Sequence, residues 1–156
     1  MPVKCGCPSS TSRTPAVTAA DLAAAAERAG AEPGPGDVAL IRTGWARHFD
    51  DAATYLGQAS GVPGATTDAA EWLAARRVVA TGSDTTADEQ IRPGAGHSVL
   101  PVHRVLLVDA GVYIIEHLNL EHAAAAALTA FVFAMAPLRI VGGTGSPVRP
   151  FAAVTA

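Results

Sequence analysis

The chain has 156 residues, 49% hydrophobic, 16% charged and 5% aromatic, with a formal net charge of −3. That length suits one domain with a real core, built here from Ala, Val, Leu and Ile. Few Lys or Arg means no broad basic surface, so no nucleic-acid partner is expected, because phosphate neutralisation supplies most of that affinity.

No apolar run approaches the roughly 18 residues of a membrane span. The longest, Ala123 to Leu138, contains Thr129 and is interrupted by Pro137. The N-terminus lacks the apolar stretch of a secretory signal, so a cytoplasmic location and no membrane partner are expected. Cys5 and Cys7 are the only cysteines. Two thiols so close together do not readily close a disulfide and are too few for a structural zinc site.

Residues 1–17 are rich in Ser, Thr, Pro and Gly and read as a disordered lead-in to a domain over 18–156. Thr18 and Asp21 form a capping-box variant, and the Ala-rich helix they start ends at Gly30. Asp37 to Thr43 is a predicted strand, apolar on both faces and therefore internal. A short helix is expected around Asp51 to Tyr55 and a clear one from Thr67 to about Arg76. Val78 to Thr81 is a short strand. Gly82 to Gly96 is polar and punctuated by Gly and Pro, the pattern of a long loop. Pro101 opens a helix to about Asp109, Gly111 turns the chain, and Val112 to Glu116 returns as a strand. Leu118 to Ala127 reads as helical. Leu128 to Ala136, Leu138 to Val141 and Phe151 to Val154 read as strands. Helices and strands alternate, so the class is α/β, a mixed sheet or partial barrel with flanking helices.

His103 and Glu116 bracket one apolar run. A helix of about eight residues climbs roughly 12 Å and a strand of about five covers roughly 16 Å. If the two elements pack antiparallel, both side chains finish at one end. Glu116 shares a strand face with Val112 and Ile114, so its carboxylate sits beside core and needs a cation, a donor or a proton. A His nitrogen with a carboxylate oxygen suits zinc or manganese. A surface His and a solvated Glu are the alternative. His117 is expected on the opposite strand face, and His48 and His122 read as plain polar residues. Asp84 and His97 are possible recruits from the long loop. Gly142 to Pro147 reads as a tight turn, since it lacks the Lys-Ser/Thr ending of a phosphate-binding loop.

Several segments carry a resemblance. They are Pro-Val-His103-Arg-Val-Leu-Leu, Gly-Val-Tyr-Ile-Ile-Glu116-His-Leu-Asn-Leu-Glu121, Ala-Pro-Leu-Arg-Ile-Val-Gly-Gly-Thr-Gly-Ser-Pro-Val-Arg-Pro150 and Gly-Asp37-Val-Ala-Leu-Ile-Arg-Thr-Gly-Trp45. Thr18-Ala-Ala-Asp-Leu, Tyr55-Leu-Gly and Gly82-Ser-Asp-Thr85 fit the same pattern. Over roughly Thr18 to Val154 the chain resembles the cyclase family, metal-dependent hydrolases similar to bacterial kynurenine formamidase and isatin hydrolase. The resemblance implies a cyclase-like fold of the swivelling β/α type. It also implies an arylformamidase-like amide or lactam hydrolase of the kind met in tryptophan catabolism. Its small-molecule substrate would be opened with the help of a divalent metal, zinc or manganese, that acidifies a water. His103 and Glu116 match the family's late metal-site His and Glu.

The family's main metal motif, His-x-Gly-Thr-His-x-Asp-x-Pro-x-His, does not occur among the five histidines, His48, His97, His103, His117 and His122. The chain therefore reads as the C-terminal part of such an enzyme, lacking the N-terminal half and impaired in autonomous catalysis. The rival expectation is a non-catalytic remnant or oligomerisation module that self-associates or pairs with a full-length relative.

Overall fold

Helix α1 (Ala19–Ala29) begins where the sequence puts its cap. Thr18 accepts from the Asp21 backbone N–H, and the Asp21 carboxylate accepts from the Thr18 N–H at 2.9 Å, so two orphan donors of the first turn are satisfied. Gly30, at φ 61°, closes the helix in the left-handed conformation that costs glycine nothing. The computed structural model describes residues 15–95 and 99–154; Cys5, Cys7 and His97 fall outside them. Ala16 and Val17, drawn with the lead-in on composition, belong to the fold: they form strand β1 (Ala16–Val17), and Val17 is 1% exposed.

Strand β2 (Val38–Ile41) is followed by a 3-10 turn (Trp45–His48) and helix α2 (Ala52–Leu56). Strand β3 (Gly64–Ala65) pairs in parallel with β1. Helix α3 (Thr67–Ala75) lies beside α1, tied by the Ala19 N–H donating to Asp68 at 2.8 Å. Strand β4 (Ala80–Ser83) sits two residues later than its apolar stretch predicts. Helix α4 (Pro101–His103) opens on Pro101 and widens into a π-helical coil over Arg104–Ala110, ended by Gly111 at φ 66°. Then come strand β5 (Tyr113–Ile115), helix α5 (Glu121–Ala125) and strands β6 (Val132–Ala134) and β7 (Phe151–Ala153). The predicted strand over Leu138 to Val141 is not formed; Leu138 and Ile140 are exposed and the stretch has no strand partner.

The central sheet has the order β2-β4-β5, all parallel, so the protein is of the α/β class with flanking helices. The mix of directions lies between sheets: β6 and β7 pair antiparallel, apart from the parallel strands. β4, not β2, is the internal strand. β2 is apolar on both faces because each face of the sheet meets a different cluster. Ile41 joins Leu22, Leu73, Val102 and Leu106 on the helix side, while Leu40 joins Ile115 and Leu118 against Phe131 and Phe133. Gly82 marks a tight crossing on β4, where a Cβ would meet Leu118 Cδ1 at 2.7 Å. Among the described residues no helix is long and apolar enough to cross a membrane.

The stretch read as a long loop after β4 is irregular, and its polar residues lie inside the fold. Residues 83–89 are buried, with Asp84 and Thr85 at 0% exposure and Asp88 and Glu89 at 1% and 2%. The chain there runs beside Gly64, Ala65 and Val62, bridging Val62 to Ile91 and Ala65 to Glu89. A Cβ on Gly64 would strike the Glu89 backbone, so only glycine lets the two segments approach.

Candidate metal centre

α4 leads out and β5 comes back, and His103 and Glu116 meet. Nε2 of His103 lies 3.4 Å from Oε1 of Glu116. The strand end that carries Glu116 is held by its successors: the His117 N–H donates to Thr85 O at 2.9 Å and the Leu118 N–H to Ser83 O at 3.0 Å. His117 takes a positive φ of 58° and turns away from Glu116 to meet Tyr55, with Oη 3.1 Å from its Nδ1. The Tyr55 hydroxyl is pushed up to about 12, by burial first and then by Asp84 and Glu116.

Two carboxylates that spacing did not single out complete the cluster. Glu89 Oε2 lies 2.7 Å from His103 Nδ1 and accepts the His103 backbone N–H at 3.1 Å. The imidazole is held between Glu116 and Glu89, which raise its pKa to about 9 against the opposing effect of burial. Asp88 is buried with no hydrogen-bond partner on either oxygen, the nearby Ser83 hydroxyl being engaged with Thr85 at 2.9 Å. Burial pushes its carboxyl up to about 7, with Ser83 and His103 pulling the other way. The missed signal was Gly64 facing a run of small and acidic residues. Small side chains over Thr81 to Asp88 permit burial that polarity alone argues against.

These groups suit a cation. Two carboxylates hold one imidazole, and both oxygens of Asp88, next to Glu89 in sequence, are buried and unpartnered. The 3.4 Å gap between Nε2 and Oε1 matches the edge of a tetrahedral zinc shell, about 3.4 Å for ligands at about 2.1 Å. Two donors fall short of a shell, and among the described residues no three His, Cys, Asp or Glu side chains are disposed to enclose an ion.

The other candidates have structural roles. Asp84 accepts from the Thr43 N–H (2.8 Å), the Thr43 hydroxyl (2.7 Å) and the Gly44 N–H (2.7 Å), clamping the loop after β2. His122 is exposed, and His48 accepts from Arg47 Nε at 3.0 Å. A cleft of about 380 Å³ opens beside the centre, lined by Thr66, Glu89, Arg92 and Pro101 among others. A second, of about 360 Å³, lies at the β2 edge against Phe131 and Phe133, remote from His103. The first falls in the size range of small-molecule sites and meets the cluster at Glu89.

A parallel α/β sheet, with a His–Glu pair where α4 meets the end of β5, defines a class of fold and site. A sequence model described as "Putative cyclase" matches residues 5–90, more than half of the chain, and the protein belongs to that family. It is similar to an isatin hydrolase of Roseibium aggregatum, 32% identical over 138 residues, covering 86% of this chain and 51% of that protein. A solved isatin hydrolase bound to the product analogue thioisatinate superposes with a TM-score of 0.78 at 30% identity, covering 92% of this chain and 54% of the other. A structure described as a potential metal-dependent hydrolase with cyclase activity superposes with a TM-score of 0.60 at 25% identity, covering 89% and 58%. The chain thus spans about half the length of the relatives it matches.

Proposed function

We propose that this chain supplies the His–Glu part of a metal centre for a hydrolase of amide or lactam bonds, arylformamidase-like in substrate class. The observation that carries it is the convergence of His103 Nε2 and Glu116 Oε1 at 3.4 Å beside buried carboxyls. Relatives described as isatin hydrolase and as a metal-dependent hydrolase support the reading. Zinc or manganese, once held by His103 and Glu116, would acidify water and polarise a carbonyl. The chain's residues do the rest: Glu89 engages the far ring nitrogen of His103, and the backbone bonds of His117 and Leu118 fix Glu116. The adjoining cleft has room for a bicyclic amide such as isatin or for the formamide end of N-formylkynurenine.

A catalytic zinc site takes three protein ligands plus water. The pair is therefore insufficient, and on this reading the 156-residue chain alone turns over slowly. Metal content of the purified chain tests the assignment. His103→Ala and Glu116→Ala are each expected to lose bound zinc or manganese and any opening of isatin or N-formylkynurenine. Metal content unchanged in both variants would remove the pair from consideration.

The second reading is a non-catalytic oligomerisation module. It is favoured by the outward face of the C-terminal ribbon, where Val132 is 70% and Phe151 59% exposed. A second copy of the chain, or a full-length relative, is the expected occupant. Sedimentation of the metal-free chain distinguishes the readings: a stable dimer lost in Phe151→Ser supports the module, whereas a monomer argues against it.

A further inference from the structure

Two carboxylates reach His103, and they reach different nitrogens. Glu116 faces Nε2 with a side chain 32% exposed. Glu89 faces Nδ1 with a side chain 2% exposed, and the same oxygen takes the His103 backbone N–H. A carboxylate tied twice to one residue cannot swing toward a ligand without breaking both bonds. Its backbone is equally fixed: the Gln90 N–H donates to Ala65 O at 3.0 Å, the Ala65 N–H to Asp88 O at 2.8 Å, and Gly64 packs against its main chain. Glu116, half-buried at a strand end, has the freedom that Glu89 lacks.

A neutral imidazole has one N–H and one lone pair, and the partner of one nitrogen decides what the other presents. A carboxylate fixed 2.7 Å from Nδ1, and tied to the same residue's backbone N–H, keeps the proton there. We infer that Glu89 is a positioning residue: it locks the neutral His103 ring as the Nδ1–H tautomer and turns the Nε2 lone pair toward Glu116, where a cation would be held. The consequence for metal rests on the reading above; the tautomer does not, because it is a property of the metal-free protein. A purely structural ion pair would need only a charged ring and would leave the neutral tautomer to its solution preference for Nε2–H.

The test uses the full chain. Long-range proton–nitrogen spectra of the metal-free protein, in alkaline solution where the ring is neutral, read the His103 tautomer directly. Calorimetric titration with zinc reads affinity. The wild type is expected as Nδ1–H. Glu89→Gln, whose amide oxygen still accepts, keeps that tautomer. Glu89→Ala moves the ring to Nε2–H and weakens zinc about 10- to 100-fold, the usual effect of losing an outer-sphere partner. A wild-type ring in the Nε2–H form overturns the inference. So does a folded Glu89→Ala protein with tautomer and affinity unchanged. Should the alanine variant not fold, the wild-type and Glu89→Gln spectra decide alone. A wild-type chain that binds no zinc yet shows Nδ1–H overturns the metal reading and leaves the role of Glu89 standing.

Discussion

The helix side of the central sheet and the C-terminal ribbon are both apolar in sequence, yet only one is a core. Leu73, Leu106 and Val17 are at most 1% exposed where α1, α3 and α4 cover the sheet. Beyond Leu128 the side chains alternate: Phe131, Phe133 and Met135 pack on the sheet's other face, while Val132 and Phe151 point outward. The difference is that the ribbon has a surface to pack against on one face only. A two-stranded ribbon is marginal by itself, and this one packs through a single face, so more of the folding energy resides in the first region.

Truncation in the two regions should therefore give very different costs. Leu73→Ala removes a fully packed side chain and is expected to destabilise by about 2–5 kcal/mol. Val141→Ser, at a site 98% exposed, should fall within about 0.5 kcal/mol of zero. Denaturant unfolding of both variants checks this, and similar costs would break the comparison. Next in size is Asp84→Ala, which strips a buried carboxylate from two backbone N–H groups and a hydroxyl. About 3 kcal/mol is expected, seen as a melting temperature lower by about 10 °C.

The same contrast explains what could be read in advance. The Thr18–Asp21 box and the Gly30 stop are local, set by side chains within one turn, and were legible. So was the meeting of His103 and Glu116, because a helix out and a strand back is a matter of counting residues. The ribbon was overdrawn, since an apolar run says nothing of its partner. The buried stretch from Ser83 to Glu89 was illegible for the opposite reason. Two of its carboxylates are satisfied by distant groups: Asp84 by Thr43 and Gly44, Glu89 by His103. Only the tertiary approach past Gly64 makes that burial possible. Gly64→Ala is accordingly expected to cost about 1–3 kcal/mol as an overpacking change. It should also displace Glu89, which the His103 ring resonances would report.

Protonation of the metal-free centre offers a subtler probe of the well-packed region. His103, held between Glu116 and Glu89, has its folded pKa raised from the usual imidazole value to about 9. A raised pKa means that the folded state holds the proton more tightly. The stability it contributes is complete below about pH 6.5 and is lost as pH climbs through about 9. Asp88, raised to about 7, acts with the same sign at lower pH, because the folded state is again the one that binds the proton more tightly. Above about pH 7 the imidazole dominates, and on the order of 1–2 kcal/mol should be lost by pH 9.5 after allowing for solvent screening. His103→Gln should flatten that limb of the melting curve, and an unaltered slope would show that the ring is not charged between its two carboxylates.

A small effect of a different kind is expected where the two regions join. Arg42, just past β2, makes a two-pronged bond to Glu121 at the start of α5, with Nε–Oε1 at 2.8 Å and Nη2–Oε2 at 2.7 Å. The hydrogen bond to Glu121 raises the Arg42 pKa and lowers that of Glu121, yet the carboxylate is 46% exposed, so water screens most of the attraction. Arg42→Ala should cost at most about 1 kcal/mol, and less in high salt. Its value is diagnostic. α5 leads into the ribbon, and a mobile ribbon would yield proteolysis after Leu120 in Arg42→Ala with little change in global unfolding. A global loss of several kcal/mol would instead mean that the ribbon and the core unfold as one unit, and the division between the two regions would be wrong.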